Sequence, residues 1–234
     1  MKNNDTLKVI IPVYNEEGAI GLVIEDWTNK LESLGIEFKI YTYNDGSKDN
    51  TSAILHGLAE TNDNLVVVDK PNSGHGPTIL KGYKDNVDAD WLFQVDSDNE
   101  LKAEDFDKFW NARTDYDFLI GKRVNRISPL ARIITTQISR MVVGLCYGRG
   151  VKDVNTPYRL MRVASFKNYL EKIPDATFAP NLIVSGIACS KKMRIKQFNV
   201  THHNRETGEV SIKKWKLFKA ALKSFKQTIL YRFI

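Results

Sequence analysis

Trp91-Leu92-Phe93-Gln94-Val95-Asp96-Ser97-Asp98-Asn99-Glu100 is an apolar run that ends in three carboxylates spaced two residues apart. Its aromatic and β-branched residues predict a buried strand, and ligands of open α/β sheets bind at the carboxyl ends of such strands. Alternate residues of an extended segment point the same way, so Asp96, Asp98 and Glu100 are expected to offer hard oxygen ligands to Mg²⁺ or Mn²⁺. The alternative at this point is that the aspartates only cap the next helix.

Three similar units of strand, loop and helix precede this run. Their predicted strands are Leu7 to Val13, Glu37 to Tyr43 and Leu65 to Asp69, each followed by a polar loop. This alternation predicts an α/β fold with a doubly wound, Rossmann-like, mostly parallel sheet and helices on both faces. Because the carboxyl ends of parallel strands share one edge, the loops are expected to line one crevice. The residues that they bring there are Tyr14, Glu16, Asp45, Gly74, Gly76, Asp96 and Asp98.

The length and composition fit one large α/β domain, with 234 residues, of which 42% are hydrophobic and 26% charged. We expect no signal peptide, and no window reaches the roughly 18 apolar residues of a spanning helix. Cys146 and Cys189 lack metal-ligand spacing, which indicates a reduced, cytoplasmic setting. The segment from Ser211 to Arg232 holds Lys and Arg without any acidic residue. It predicts a basic face for phosphates or for an anionic membrane surface.

The loop Asn72-Ser73-Gly74-His75-Gly76 argues against two common kinds of phosphate site. It is not a Walker A sequence, and no G-x-G-x-x-G follows the first strand, so ATPase-type and dinucleotide-type binding are disfavoured. The glycines are instead expected to let the backbone approach a nucleotide or sugar closely. Because the basic residues come without a recognition module, we expect no nucleic-acid partner.

Four motifs, in this order, resemble the family 2 glycosyltransferases, inverting enzymes with the A-type nucleotide-sugar fold. The motifs are Ile11-Pro12-Val13-Tyr14-Asn15-Glu16, Asn44-Asp45-Gly46-Ser47, the glycine loop at 72–76 and Asp96-Ser97-Asp98. The likeness covers residues 1–125, and it implies that Asp96 and Asp98 hold Mg²⁺ or Mn²⁺ against the donor's diphosphate. Such a cation would act as a Lewis acid on the departing diphosphate.

The resemblance also implies a donor site for a UDP- or GDP-hexose. Its expected residues are Pro12, Tyr14, Glu16, Asp45, Gly74, Gly76 and Ser97. Within that set, Asp45 and Glu16 would accept hydrogen bonds from the base or the ribose. The sequence assigns no role to His75.

The second half is similar to the polyprenyl-phosphate sugar transferases, such as dolichyl-phosphate mannose synthases and bacterial undecaprenyl-phosphate glucosyltransferases. The likeness rests on Gly121-Lys122-Arg123, Arg132, the segment Asp153 to Arg159, and Arg205-Glu206-Thr207-Gly208-Glu209-Val210-Ser211. It implies that Arg123 and Arg132 contact the lipid phosphate and that Arg205 is a catalytic residue over the donor diphosphate. The spacing of Glu100 also matches this subfamily, which would make it a third metal ligand beside Asp96 and Asp98.

Several residues of this half keep two interpretations. Arg159 is as consistent with a structural ion pair as with a ligand contact. His202 and His203 resemble a metal pair only in sequence, because adjacent strand residues point to opposite faces. Contact of either histidine with the donor diphosphate and simple loop packing both stay open.

Two positions depart from the subfamily. Asn155-Thr156-Pro157-Tyr158 stands where a glycine-rich turn followed by Phe is usual, so the acceptor-side loop is expected to differ in shape. Asn181 stands where relatives that glycosylate sugar hydroxyls place an acidic general base. An amide takes no proton at neutral pH, whereas a phosphate monoester is already an anion and needs no base. The sequence therefore favours a phosphate acceptor, with Asp153 or Asp175 open as alternative bases.

The C-terminal segment predicts an amphipathic helix. Its apolar residues recur at a spacing of three or four with lysines between them, at positions 215, 218, 222, 225 and 229. This pattern is typical of a helix at a membrane interface, and the alternative is a helix docked on its own domain. We expect a catalytic domain at 1–205, with a nucleotide-sugar half at 1–125 and an acceptor half at 126–205, followed by this basic segment at 206–234.

The expected function is metal-dependent, inverting transfer of a hexose from a nucleotide sugar to polyprenyl phosphate. The enzyme would be cytoplasmic and peripheral on the inner face of the cell membrane. One alternative is the same fold with a saccharide acceptor in surface polysaccharide or glycan assembly. Another is a non-catalytic, nucleotide-sugar-binding membrane partner. A sugar nucleotidyltransferase is disfavoured because its first loop is usually rich in Gly and in Arg or Lys. The sequence names neither the sugar nor the nucleobase, and it leaves the oligomeric state open.

Overall fold

The computed structural model describes residues 5–124, 130–148, 150–203, 223–232 and 234, without the side chains of 130–136. Its strands are β1 Thr6–Val13, β2 Glu37–Asn44, β3 Leu65–Asp69, β4 Trp91–Gln94, β5 Phe118–Val124, β6 Arg159–Arg162 and β7 Ile195–Thr201. Its α-helices are α1 Ile20–Ser33, α2 Thr51–Ala59, α3 His75–Asp85, α4 Asp107–Ala112, α5 Leu130–Tyr147, α6 Val163–Leu170 and α7 Pro180–Ser190. Residues 223–230 form a further helix, called here the C-terminal helix.

The strands form one seven-stranded sheet in the order β3-β2-β1-β4-β6-β5-β7. The pairs β2–β3, β1–β2, β1–β4 and β5–β7 are parallel, while β6 runs antiparallel to both β4 and β5. The predicted α/β fold with a mostly parallel sheet is therefore confirmed. Strand order reverses at β1, since the chain moves outward through β2 and β3 and then returns to pair β4 on the other side. Such a switch point opens a crevice beyond the carboxyl ends of β1 and β4.

Strand β4 is buried on both of its faces, as its composition predicts. Trp91 and Phe93 belong to one apolar core with α1, whereas Leu92 belongs to a second core with α3, α5, α6 and α7. Because neighbouring strand residues point to opposite faces, the two cores lie on opposite sides of the sheet. The Phe93 ring lies 4.9 Å from Trp27 and 4.8 Å from Tyr158, between ring centroids. These aromatic contacts fix the strand that leads into the acidic cluster.

Helix α3 approaches the sheet closely enough to bring its first turn to the crevice. A Cβ at Gly82 would lie 2.3 Å from Cγ2 of Ile10 on β1, so only glycine allows this spacing. Tyr83, the next residue, is fully buried, and Ile79 and Leu80 are also in the core. The N-terminal end of α3, at His75, therefore lies at the carboxyl edge of the sheet beside β1 and β4.

The C-terminal helix packs against the end of α5. The Tyr147 hydroxyl donates a hydrogen bond of 3.0 Å to the Thr228 carbonyl, and Thr228 is buried. The first part of the predicted amphipathic segment lies outside the described residues, and the domain boundary at 205 stays a prediction. Among the helices that the structure describes, none has the length and apolar character needed to cross a bilayer.

Candidate functional site

A cleft of about 660 Å³ lies at the carboxyl edge of the sheet. Four parts of the chain form most of its wall: the first turn of α3, the segment after β4, the end of β5 and the start of α7. Residues that line it include Gly74, His75, Gly76, Asp96, Arg123, Asn155, Phe178, Asn181 and Lys223. The expectation that strand-end loops share one crevice thus holds for the loops after β3 and β4. Tyr14, in the loop after β1, is 41% exposed and is not among these lining residues.

Asp45, directly after β2, joins two of the loops. Its carboxylate accepts hydrogen bonds from the backbone N–H groups of Ser73 at 2.8 Å and Gly74 at 2.9 Å, and it forms an ion pair with Lys70. Burial raises the pKa of Asp45, but the bonds from Lys70 and Ser73 outweigh it and lower the pKa below its usual value. The predicted contact of Asp45 with the base or ribose stays a prediction. What the sequence reasoning missed is Lys70, although it follows β3 at the same edge.

The two glycines of this loop have separate structural reasons. Gly74 has φ +93°, a backbone conformation that residues with a Cβ rarely adopt. At Gly76 a Cβ would lie 2.0 Å from the carbonyl oxygen of Phe178, so the first turn of α3 rests directly on the backbone before α7. The close backbone approach that the structure shows at Gly76 is therefore to this second segment of the same chain. Both glycines line the cleft, and their contact with a donor stays a prediction.

The acidic cluster does not continue β4 as an extended strand. The strand ends at Gln94, residues 97–100 bend, and Asn99 has φ +58°. Asp98 accepts a hydrogen bond of 3.1 Å from the backbone N–H of Glu100, which closes a local turn. The simple alternation that would point all three carboxylates the same way is therefore wrong for this segment. The alternative of a helix cap is also not seen, because the next helical turn, Ala103–Asp105, has no side-chain cap bond.

Asp96 faces the cleft. Its Oδ1 accepts a hydrogen bond of 3.3 Å from Nε2 of Gln94 and lies 3.7 Å from Nε2 of His75. The side chain is 27% exposed, so a ligand in the cleft can reach it. Ser97, the next residue, is buried. His75 thus stands beside the acidic cluster, which the sequence did not predict.

The adjacent residues His202 and His203 each contact a different carboxylate, one of which is Glu100. Nε2 of His202 lies 3.0 Å from Oε2 of Glu100, and this histidine side chain is almost fully buried. Nε2 of His203 lies 3.1 Å from Oε1 of Glu104, near the surface. Each histidine therefore pairs with a carboxylate that follows β4, as the packing interpretation expects. The role of Glu100 as a metal ligand stays a prediction.

The donor set fits a cation that also binds phosphate. Within the part of the chain that the structure describes, no three His, Cys, Asp or Glu side chains converge into a closed metal site. Mg²⁺ and Mn²⁺ do not need such a cage, since one or two carboxylates commonly hold them while substrate phosphates and water complete the shell. Asp96, exposed in the cleft, and Asp98 two residues later provide that kind of hard oxygen donor.

Arg123, at the end of β5, brings a positive charge to the wall of the cleft. Its Nε and one Nη donate to both carboxylate oxygens of Asp153, at 2.8 and 3.0 Å. This bidentate pair holds the guanidinium in place and occupies Asp153, one of the alternative bases. Phosphate contact by Arg123 stays a prediction. The side chain of Arg132 and the whole of Arg205 lie outside the described residues.

Arg159 belongs to the interior of the protein. It is fully buried, and its guanidinium donates hydrogen bonds to the carbonyl oxygens of Val154, Thr156 and Asn181. Burial lowers the pKa of Arg159, although the neighbouring Tyr83 and Asp153 oppose that shift. Of the two interpretations, the structure supports the structural one, with carbonyl oxygens as the hydrogen-bond acceptors.

Asn181, in the first turn of α7, lines the cleft and is nearly buried. Its side-chain amide lies 3.0 Å from the Tyr83 hydroxyl, which donates a 2.5 Å hydrogen bond to Gln94. Tyr83 and Gln94 were not expected at the site, because in sequence they occupy ordinary core positions of a helix and a strand. The structure therefore connects the position of the absent base with the acidic cluster.

Comparison with protein families decides the assignment. The model of the family described as glycosyl transferase family 2 matches residues 8–182, which is most of the chain. The chain belongs to glycosyl transferase family 2. The match includes the loops after β1, β2, β3 and β4 and extends to the start of α7, so the resemblance seen in the motifs is confirmed.

Two relatives of this chain are undecaprenyl-phosphate sugar transferases by name. The chain is 27% identical over 206 residues to the undecaprenyl-phosphate 4-deoxy-4-formamido-L-arabinose transferase of Photorhabdus laumondii, covering 87% of this chain and 62% of that protein. It is 26% identical over 206 residues to the enzyme of the same name from Proteus mirabilis, with 87% and 61% covered. The chain thus spans less than two thirds of the length of these relatives.

Solved structures confirm the A-type fold of this family 2 chain. Glucosyl-3-phosphoglycerate synthase from Mycobacterium tuberculosis, in complex with Mn²⁺, UDP and glucosyl-3-phosphoglycerate, superposes with a TM-score of 0.69 at 15% identity. That match covers 98% of this chain and 81% of the other. TarS from S. aureus, in complex with UDP-GlcNAc, gives a TM-score of 0.63 at 20% identity and covers 96% and 66%.

Proposed function

We propose that this family 2 domain transfers a hexose from a nucleotide diphosphate sugar to polyprenyl phosphate at the cytoplasmic face of a membrane, with inversion and with Mg²⁺ or Mn²⁺. The observation that carries the proposal is the cleft itself. It brings a cleft-facing carboxylate, Asp96, and a fixed cation, Arg123, into one crevice at the carboxyl edge of the sheet. Family membership and relatives that act on undecaprenyl phosphate support the reaction class.

The donor side supports a nucleotide diphosphate sugar. Asp45 and Lys70 hold the loop at 70–74 against the start of α3, so backbone groups at the cleft are fixed before a ligand arrives. Asp96 and Asp98 would hold the cation, which when bound supplies Lewis-acid stabilisation to the departing diphosphate. Solved relatives of the same fold contain Mn²⁺ and UDP, which supports this assignment.

The acceptor side supports an anion. Asn181 occupies the cleft wall at the position of the expected base, and its amide cannot remove a proton. Asp153, one of the two alternatives, is bound on both oxygens by Arg123. Asp175 pairs with Lys84 and its side chain is 89% exposed. An acceptor that enters already ionised needs none of these groups, and Arg123 and Lys223 give the cleft positive charge for it.

The outer surface near the cleft supports attachment to an anionic membrane. Ile138, Met141 and Leu145 form an exposed apolar stripe on α5, at helical spacing. Exposed Ile229 and Leu230 lie on the C-terminal helix, which packs against the same end of α5. Arg140 and Lys152 line one pocket together with Met141 and Leu145, and Lys223 and Lys226 lie on the C-terminal helix. Apolar side chains with a basic surround are typical of a membrane-interface surface.

The test is a transfer assay with purified protein, radiolabelled UDP- and GDP-hexoses, and Mg²⁺ or Mn²⁺. We expect label to move to polyprenyl phosphate and not to glycan acceptors, and chelation to stop the reaction. Transfer to a glycan alone would favour the saccharide alternative. Nucleotide-sugar binding without turnover on any acceptor would favour a non-catalytic partner.

The Asp98→Ala variant tests the metal assignment within that assay. We expect transfer to fall by about 10²-fold or more, because the cation loses one of the two carboxylates that hold it. The Asp88→Ala variant, which removes an exposed carboxylate from an ion pair with Lys8 far from the cleft, is the control. Undiminished activity of Asp98→Ala would reject the metal role.

A further inference from the structure

A buried chain of hydrogen bonds leads from α7 to the acidic cluster. The Asn181 amide lies 3.0 Å from the Tyr83 hydroxyl, and that hydroxyl lies 2.5 Å from Oε1 of Gln94. Nε2 of Gln94 in turn donates to Oδ1 of Asp96 at 3.3 Å. Tyr83 and Gln94 are both fully buried, so no water competes for these contacts. This chain of hydrogen bonds therefore connects two cleft-lining residues, Asn181 and Asp96, through the interior of the protein.

The chemistry of the four groups gives the chain a direction. The Asp96 carboxylate can only accept, so Gln94 turns its NH₂ group toward it and its oxygen toward Tyr83. A tyrosine hydroxyl has one proton, which goes to the nearer Gln94 oxygen. The Asn181 amide then complements the hydroxyl when its NH₂ group faces it, a 180° rotation that exchanges its oxygen and nitrogen. Every donor in the chain thus points toward Asp96.

One neighbour, Arg159, helps to keep this arrangement in place. Arg159 is fully buried beside the chain and donates to the Asn181 carbonyl at 3.0 Å. Gln94 and Arg159 are also paired across β4 and β6 in the sheet. Burial raises the pKa of Tyr83, so its hydroxyl stays protonated and remains a donor at any physiological pH. The chain is rigid because its members lie on the sheet and on two packed helices.

We propose that Tyr83 and Gln94 are positioning residues that fix the orientation of the Asp96 carboxylate for the divalent cation. The inference rests on the proposed function, in which Asp96 holds that cation. The hydrogen bond from Gln94 to Oδ1 restricts rotation of the carboxylate, so its oxygens are offered to a ligand in the cleft in one orientation. Loss of these hydrogen bonds leaves the Asp96 carboxylate in place but free to rotate, and the free energy of cation binding then includes the cost of ordering it.

Tyr43 offers a matched control for a purely structural role. Its hydroxyl is also buried beside α3, where it donates to Asp85 at 3.0 Å and accepts from Asn86 at 2.9 Å. Tyr43 belongs to the same apolar core as Tyr83, but none of these bonds leads to the acidic cluster. Tyr83→Phe and Tyr43→Phe therefore each remove one buried hydroxyl with two hydrogen-bond partners. Only Tyr83→Phe interrupts the hydrogen bonds that lead to Asp96.

The experiment measures Mn²⁺ affinity by calorimetric titration of the full chain in the presence of UDP and, separately, of GDP. We expect Tyr83→Phe to weaken Mn²⁺ binding about fivefold, the value of one hydrogen bond, and Tyr43→Phe to leave it unchanged. Thermal unfolding should show similar losses in both variants. In the transfer assay, Tyr83→Phe should need more Mn²⁺ for half-maximal rate and should regain the wild-type rate at saturating Mn²⁺.

Each other outcome overturns the inference. Unchanged Mn²⁺ affinity in Tyr83→Phe, or equal weakening in Tyr43→Phe, would show that Tyr83 has only a structural role in the core. The proposed function would be unaffected by that result. A wild-type protein that binds no Mn²⁺ with either nucleotide removes the metal role and this inference together. Gln94→Met removes the donor to Asp96 itself and should weaken Mn²⁺ binding at least as much as Tyr83→Phe. Should Gln94→Met fail to fold, the two tyrosine variants decide alone.

Discussion

At the scale of single residues, Asp45 shows how one carboxylate can organise a binding edge. A buried carboxylate that accepts two backbone N–H bonds and a lysine is held by the fold, and it holds the fold in return. The sequence placed Asp45 at the correct edge because a turn after a parallel strand must lie there. It could not show Lys70 as the partner, since that contact depends on how two loops meet in space.

The Asp45→Asn variant should lower the free energy of unfolding by about 3 kcal/mol at neutral pH, because it leaves the Lys70 ammonium, 11% exposed, without its anion. The folded state lowers the pKa of Asp45, so the carboxylate stabilises the protein above its usual pKa of 3.8 and that stabilisation is lost as the pH falls further. The free energies of unfolding of the wild type and of Asp45→Asn, measured in urea, should therefore converge at acid pH.

The control for this prediction is Asp88→Asn. Asp88 pairs with Lys8, but its side chain is 72% exposed, so we expect a loss of only about 0.5 kcal/mol. A loss at Asp45 no larger than the loss at Asp88, measured at the same pH, would contradict the role given to the Asp45 pair.

At the scale of elements, most strands and helices follow from hydrophobic periodicity. The predicted strand at Leu65 to Asp69 matches β3. The helical spacing of the first helix predicts a stop at Gly35, and this residue follows the end of α1 with φ +60°. The sequence pattern predicts one helix from Ala103 to Asn111, but the chain forms a 3₁₀ turn at Ala103–Asp105 and then α4. The bend after Gln94 was also missed, because a left-handed Asn99 is a local choice that the alternation pattern does not reveal.

Contacts between elements were the least accessible to the sequence. The sequence predicts close approach of the Gly76 backbone to a nucleotide or sugar, but the contact that the structure shows is with the Phe178 carbonyl, about a hundred residues away in the chain. The chain of Tyr83, Gln94 and Asn181 joins α3, β4 and α7 in the same way. Each member alone satisfies the rules for a core or cap position, so no local pattern separates it from ordinary packing.

The Gly76→Ala variant tests the seating of α3 on the segment before α7. The new Cβ would lie 2.0 Å from backbone, which cannot move aside as a side chain can, so we expect a loss of about 2 kcal/mol or more in unfolding free energy. Gly57→Ala on α2 meets nothing within 4 Å and should instead stabilise by about 0.5 kcal/mol. Chemical denaturation of both variants checks the pair; equal stability would show that α3 can shift without cost.

At the scale of the whole molecule, the two faces of the sheet have different surroundings. The core that contains α3 and α7 also carries α5, whose outer side exposes Met141 and Leu145. The opposite core carries α1, on which Leu22 is 54% exposed without a comparable stripe. If the first of these faces binds a membrane, substrates would enter the cleft from the side where the lipid acceptor is concentrated.

The Met141→Glu and Leu145→Glu variants test that orientation by co-sedimentation with vesicles of anionic phospholipid. Each adds a negative charge to an apolar stripe, so we expect the bound fraction to fall several-fold and to be more sensitive to salt. Leu22→Glu makes the same chemical change on the other face and should bind vesicles as the wild type does. Equal binding by all three variants would place the membrane-binding surface elsewhere.

The antiparallel strand β6 sets a distance that side chains alone could not keep. Because β6 pairs antiparallel with both β4 and β5, those two strands run in the same direction and end at the same edge, one strand apart. Two strand spacings amount to about 10 Å, fixed by backbone hydrogen bonds. The sheet thus fixes the distance between two groups. One is the Asp96 carboxylate after β4, which would hold the divalent cation against the departing diphosphate, and the other is the Arg123 guanidinium at the end of β5. The spacing between these two groups therefore depends on backbone pairing in the sheet and not on the conformation of the loops at this edge.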